Sequence, residues 1–286
     1  MKKAVFHKIQ YSSKNLKEIV ADWKAQFPML SHYNSPTVLS MCADLVQFTL
    51  SIEDGLNNSK LFRDPVELDY RVRFECLSLW GEGDRGRYLF LSELQDERGD
   101  QFFIKYQLHD YYLDKAIEQA KLQFGGLLQE KVPASALIKF ADNSYRTYHT
   151  WCRHAAGGDV IRRYKLKMAL ALYFDDKAVM AAVRKSLDME ARFWDDEYFL
   201  EVFKMTLQQW KDELYRSFDD REAFMVQIHE NITNPKVAQL REGHIIWDVT
   251  PKDIKVPSRL SLYWWRLQYK WFKYSKRRWM RKQGLE

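Results

Sequence analysis

Apolar residues recur along this chain with two different periods. Leu16, Ile19, Val20 and Trp23 fall at helical spacing, which predicts an amphipathic helix over residues 14–27 with Ser13 as its cap. Ser35 followed by Pro36 reads as a second helix start. That helix would carry Val38, Leu39, Met41, Cys42, Leu45, Val46 and Leu50 and stop near Gly55. The period then changes to two. Residues 68–76 alternate apolar and charged positions, as a half-buried strand does. Residues 87–94 and 101–108 are two further strand candidates, separated by the turn sequence Asp96-Glu97-Arg98-Gly99-Asp100. Together they predict an antiparallel three-stranded meander, covered by a helix over 110–124 that ends at Gly125 and Gly126.

After Pro133 the helical period dominates. One helix is expected over 134–156, and 244–249 is a short strand candidate. An aromatic residue followed by two aspartates occurs three times, at Phe174, Trp194 and Phe218. Each instance precedes a helical run. An aspartate there accepts hydrogen bonds from the first free amides of a helix and suits the positive end of its dipole, while the ring folds back onto the first turn. The fold class expected is α+β: N-terminal helices plus the meander in residues 1–130, a helical bundle in 131–250, and a basic aromatic helix in 251–286. No linker separates these regions, so one domain is compatible with them.

Composition narrows the class. Aromatic residues make up 15% of the chain, while glycine and proline are few, which excludes a low-complexity chain. Cys42, Cys76 and Cys152 are odd in number and widely spaced, so no disulfide framework is expected and a cytoplasmic location is the simplest reading. Lys2 and Lys3 precede no apolar run, and no window is long and apolar enough for a membrane span.

Four patterns carry residue types that chemistry uses. His149, Cys152, His154 and Asp159 are zinc-ligand types, but their spacing matches no zinc motif. The three acidic doublets are explained by capping. Gly81, Gly83 and Gly86 lie between strand candidates rather than before a helix, so they form no phosphate loop. Lys105 lacks the acidic residue two positions earlier that a metal-dependent nuclease strand needs; it is expected to pair with Glu93 across strands. No catalytic residue, metal or cofactor is assigned. The run Arg162-Arg163-Tyr164-Lys165-Leu166-Lys167 is either added basic surface or a solvated helix edge.

The charge distribution singles out the end of the chain. The net charge is +6, yet residues 251–286 carry +9 and the preceding 250 carry −3. Residues 258–282 read as one helix capped by Ser258 after Pro257. At about 100° per residue, Arg266, Lys270, Lys273, Arg277 and Arg281 fall within about 80° of one another. Trp264, Leu267, Trp271 and Tyr274 flank this stripe on one side; Trp265, Tyr269, Phe272 and Trp279 flank it on the other. The expected function is non-enzymatic nucleic-acid binding within a larger assembly. Arg266, Lys270, Lys273, Arg277 and Arg281 would contact phosphates, and Trp265, Tyr269 and Trp279 would stack. Another polyanion, a peripheral membrane surface, a protein partner in a scaffold role, and an enzyme with an unrecognised site are the alternatives.

Overall fold

The computed structural model describes residues 12–54, 69–80, 88–147, 158–192, 194 and 196–282. It is an α+β protein that divides into two compact units, Met1–Pro133 with Glu230–Ile246, and Ala134–His229 with Trp247–Glu286.

The first unit opens with helix α1 (Leu16–Gln26), which buries Ile19, Val20 and Trp23 as the spacing predicts. Its cap is Asn15 rather than Ser13. The Asn15 side chain accepts from the Lys17 and Glu18 amides, and Glu18 reaches back to the Asn15 amide, completing a capping box. The second expected N-terminal helix is absent. Residues 31–54 instead form strands β1 (Ser31–Tyr33), β2 (Ser35–Ala43) and β3 (Val46–Asp54). From Leu39 to Ala43 and from Val46 to Ile52 every residue is buried. Val46, Phe48, Leu50 and Ile52 alternate with the buried polar residues Gln47, Thr49 and Ser51, which is a strand period, but Val38, Leu39, Met41, Cys42, Leu45 and Val46 also fit helical spacing after Ser35-Pro36. The reversal between β2 and β3 uses Asp44 at φ 47°, a left-handed position that aspartate tolerates better than most side chains.

Strand β4 (Asp69–Ser78) alternates as predicted. Tyr70, Val72, Phe74, Cys76 and Ser78 are buried, while Arg71, Arg73, Glu75 and Leu77 lie on the half-buried face. It pairs antiparallel with β3 on one side and β5 (Tyr88–Glu93) on the other. The third meander strand shrinks to β6 (Ile104–Lys105), which pairs with β4, not β5. Lys105 is therefore in register with Asp69, and Glu93 takes Arg71 and Arg73 as its partners. Helix α2 (His109–Phe124) follows a single 3-10 turn. Its Phe124 stacks on Phe74, centroid to centroid 4.8 Å, and Phe74 stacks on Phe48 of β3 at 5.8 Å.

Two later segments complete this sheet. Strand β7 (Lys131–Pro133) and strand β8 (Arg241–Ile246) are parallel neighbours, and β8 also runs parallel to β2. The order is β5-β4-β3-β2-β8-β7, with β1 on β2 and β6 on β4. The 244–249 strand expectation thus moves three residues earlier, and the segment 230–246 belongs to the sheet unit rather than to a helical region. Gly243 permits the close approach: a Cβ there would lie 2.8 Å from Cε of Met41 and 3.1 Å from the carbonyl oxygens of Gln129 and Glu130. The Asp44 carboxylate accepts the Ile245 amide at 2.6 Å, and Cys42, Leu79, Val237 and Leu240 form a small apolar cluster behind the segment. Cys42 and Cys76 are buried free thiols; burial, aided by Glu242, pushes the Cys42 thiol up to about 12.

The described part of the second unit is helical: α3 (Ala134–Thr147), α4 (Gly158–Tyr173), α5 (Lys177–Ala191), α6 (Asp196–Phe203), α7 (Leu207–Arg216) and the greater part of α8 (Arg221–Ile232), then α10 (Arg259–Lys282) after the chain has passed back through the first unit. The short α9 (Pro235–Ala238) lies on that return. Two of the three aromatic-Asp-Asp instances cap a helix as expected. Asp176 accepts the Val179 amide and Asp220 accepts the Ala223 amide; Asp196 lies in the first turn of α6. Trp194 packs on Phe199 and Phe218 on Phe224, each in the helix that follows, whereas Phe174 departs from the expectation and stacks on the distant Trp247. No helix of the described residues is long and apolar enough to cross a membrane.

Candidate functional site

Helix α10 begins where the sequence places it. The Ser258 hydroxyl accepts the Ser261 amide at 3.1 Å, and the Leu262 amide reaches the Ser258 carbonyl oxygen. Its 24 residues include nine cations and no acid. Leu262 is buried and anchors the first turn. An adjacent arc is solvent-facing: Arg259, Arg266, Lys270 and Arg281 lie within about 60° of one another, with Arg278 further round toward the side opposite Leu262.

The same exposed arc carries rings. Tyr263, Trp264, Trp271 and Tyr274 are all more than half exposed, Trp271 at 72%, and Leu260 and Leu267 lie beside them. Cations and rings together occupy an arc of about 160°. Of the residues expected to bind, Arg266, Lys270 and Arg281 are exposed. Lys273, Arg277, Trp265, Tyr269 and Trp279 occupy helical positions, but their side chains lie outside the described ones. The rings expected to stack, Trp265, Tyr269 and Trp279, share one flank of the stripe. The rings found free are on the other flank, and Leu262 is the signal that could have oriented the helix, since it lies opposite Trp264 and Trp271.

The basic run at 162–167 is only in part surface: Lys165 is exposed and Arg162 half-buried. Tyr164 and Lys167 are buried, and Arg163 is nearly so. Arg163 pairs with Glu190, Lys167 pairs with Asp142 at 2.7 Å, and the Tyr164 hydroxyl donates to Glu190 at 2.7 Å. Burial lowers the Lys167 pKa, against the pull of Asp142. Arg163 and Lys167 are thus spent inside the helical unit.

A second polar network crosses the first unit. The Trp23 indole donates to the Tyr70 oxygen at 3.4 Å, and the Tyr70 oxygen lies 2.8 Å from Nδ1 of His109. Nε2 of His109 is 3.0 Å from Asp22, and the Lys14 ammonium bridges Asp22 at 2.7 Å and Asp110 at 2.8 Å. Asp22, His109 and Asp110 are metal-ligand types close enough to share an ion. The Lys14 ammonium already supplies the cation for both carboxylates, so the donor set does not call for a metal. The His149, Cys152 and His154 cluster and the glycine loop at 81–86 lie outside the described residues, as does the side chain of Asp159.

The helical unit also has an open cavity of about 460 Å³ beside Asp176, Arg184, Asp219 and Arg221. Four of the charges that line it are engaged internally. Arg184 pairs with Asp219 at 2.6 Å, Arg221 donates to the carbonyl oxygens of Leu172 and Tyr173, and Asp176 caps α5 while accepting from Trp247.

No family model, curated protein or solved structure matches the chain.

Proposed function

We propose that this is a non-enzymatic nucleic-acid-binding protein that contacts phosphates through α10, with the helices of the second unit forming the bundle that carries it, in a cytoplasmic assembly. One observation carries the reading: an acid-free helix whose exposed arc presents Arg259, Arg266, Lys270, Arg278 and Arg281. A row of cations without intervening carboxylates complements a phosphate backbone, and its binding energy comes largely from released counterions. The internal networks support the non-enzymatic part, since their charged groups are matched to one another.

The test is a salt series. Affinity for a nucleic acid should fall linearly with salt on logarithmic axes, with a slope of about 0.7–0.9 per phosphate neutralised. Changing Arg266, Lys270 and Arg281 together to Gln should reduce that slope by about 2–3. A slope unchanged by the triple substitution would assign phosphate contact to some other surface.

A second reading has its own support. Leu260 at 79% exposure and Leu267 lie next to Trp264 and Trp271, and an in-plane helix on an anionic membrane presents such a mixture of apolar side chains, tryptophans and cations. Binding to anionic vesicles, but to no nucleic acid at low salt, would favour it.

A further inference from the structure

We infer that the α10 surface is built for single-stranded nucleic acid rather than duplex. The inference rests on the nucleic-acid reading above and deepens it. Phosphates alone would be served by the cations alone. Here Tyr263, Trp264, Trp271 and Tyr274 stand in solvent on the same arc as Arg266 and Lys270. Large rings left more than half exposed forgo the burial that would stabilise the fold. Their position beside the cations gives them a use that packing does not.

The geometry separates the two substrates. A duplex keeps its base faces stacked inside and offers phosphates and groove edges. A single strand exposes a π-face at every base, and a ring next to a cation can stack on a base while the cation holds the adjoining phosphate. Trp264 and Trp271 are seven residues apart, about 10 Å along the helix and on nearly the same side. Tyr263 and Tyr274 form a second pair, about 16 Å apart, between the tryptophans and the arginines. The arc thus presents two aromatic rows and a cationic row running side by side along the axis. Nothing in this layout selects one base, so the expected binding is sequence-tolerant, with modest preferences from stacking strength. The absence of any acid in α10 favours an anionic occupant over a protein groove of mixed charge.

The experiment uses the full-length protein and two labelled probes of equal length, a thymidylate single strand and a mixed-sequence duplex, followed by fluorescence anisotropy and quenching of tryptophan emission. The single strand should bind more tightly, with emission quenched by stacking. Trp264→Ala and Trp271→Ala should each weaken single-strand binding by at least about fivefold, the lower end of the stacking range. Duplex binding and the salt slope should change little. Trp271→Phe should recover part of the loss because a ring remains, and far-UV circular dichroism should match the wild type throughout. Equal affinity for both probes, or ring variants that bind the single strand normally, would overturn the single-strand inference and leave the phosphate reading standing. Binding to neither probe at low salt would overturn both. Anionic vesicles bound in that case, and lost in the Trp264→Ala variant, would give the surface to a membrane.

Discussion

Tyr70 donates its phenolic hydrogen to Nδ1 of His109 across 2.8 Å. The direction follows from the far side of the ring. Nε2 lies 3.0 Å from the Asp22 carboxylate, which accepts only, so Nε2 carries the hydrogen and Nδ1 is left to accept. Tyr70 in turn accepts from Trp23. A neutral imidazole satisfies every partner in the row. A second proton on His109 would turn Nδ1 into a donor and leave the buried Tyr70 hydrogen without an acceptor. Burial lowers the His109 pKa below the usual histidine range, although Asp22 pulls it upward.

A pH dependence of stability follows from this. The folded pKa of His109 lies below its unfolded value of about 6.5, so at intermediate pH the unfolded chain binds a proton that the folded chain refuses. Stability from this residue is complete above about pH 6.5 and is lost as pH falls toward the folded value. Denaturant unfolding of the wild type between pH 7 and 5 should therefore show a decline, of at most about 1.4 kcal/mol per pH unit from one group. His109→Gln, which keeps one donor and one acceptor, should show a shallower decline. Identical pH profiles for the two proteins would remove His109 as the cause.

The Tyr70–His109 contact should also behave as one unit. Tyr70→Phe leaves Nδ1 of His109 and the Trp23 indole without their partner in a buried site, which costs about 1–3 kcal/mol. His109→Leu frees the Tyr70 hydroxyl in the same way. Combining the two substitutions removes both ends of the bond, so the double variant should be more stable than the sum of the single losses predicts, by about 1 kcal/mol. A double-mutant cycle by chemical denaturation measures this, and strict additivity would count against the shared bond.

These contacts also mark the limit of what the sequence makes legible. Strand β4 was readable because one face is buried and the other carries Arg71, Arg73 and Glu75, so its period is visible. Strands β2 and β3 were misread because Ser35-Pro36 mimics a helix start and the apolar residues from Val38 to Val46 fit helical spacing, although Val46, Phe48, Leu50 and Ile52 alternate with Gln47, Thr49 and Ser51 as a strand does. The caps at Asp176, Asp220 and Ser258 were legible because their chemistry is local. Local signals could not reveal that 241–246 returns to pair with β2, a contact across about two hundred residues of chain. The basic helix was legible as charge and period. Which of its flanks faces solvent depended on Leu262 becoming buried, a tertiary fact.

Gly243 provides a test of that long-range pairing. An alanine methyl would meet the carbonyl oxygens of Gln129 and Glu130 at 3.1 Å, and Cε of Met41 would have to move. The methionine can shift, but the two backbone groups have less freedom. Gly243→Ala should therefore destabilise the protein by about 1–3 kcal/mol, as overpacking does. Met41→Leu, which shortens the one flexible neighbour, should return only part of the loss. An alanine variant as stable as the wild type in thermal and denaturant unfolding would mean that β8 does not approach β2 and the 129–130 backbone this closely.

The helical unit makes the last prediction through Lys167 and Asp142. Their ion pair, 2.7 Å long, is almost wholly shielded from water, with the Lys167 side chain 4% exposed. Desolvation makes such a pair costly to assemble, and more costly to break from one side. Asp142→Ala leaves the ammonium buried beside Arg163, which lies 3.7 Å from Asp142 and would share the loss. A destabilisation of about 3–5 kcal/mol is expected. Lys167→Met together with Asp142→Leu replaces both charges with apolar groups of similar size. Arg163 keeps its pairing with Glu190 in that variant. The double substitution should recover most of the stability, because it removes the desolvation cost along with the attraction. The discriminating measurement is the unfolding free energy of the three proteins at one pH. A double variant no better than Asp142→Ala would show that the pair stabilises the helices by more than its desolvation costs.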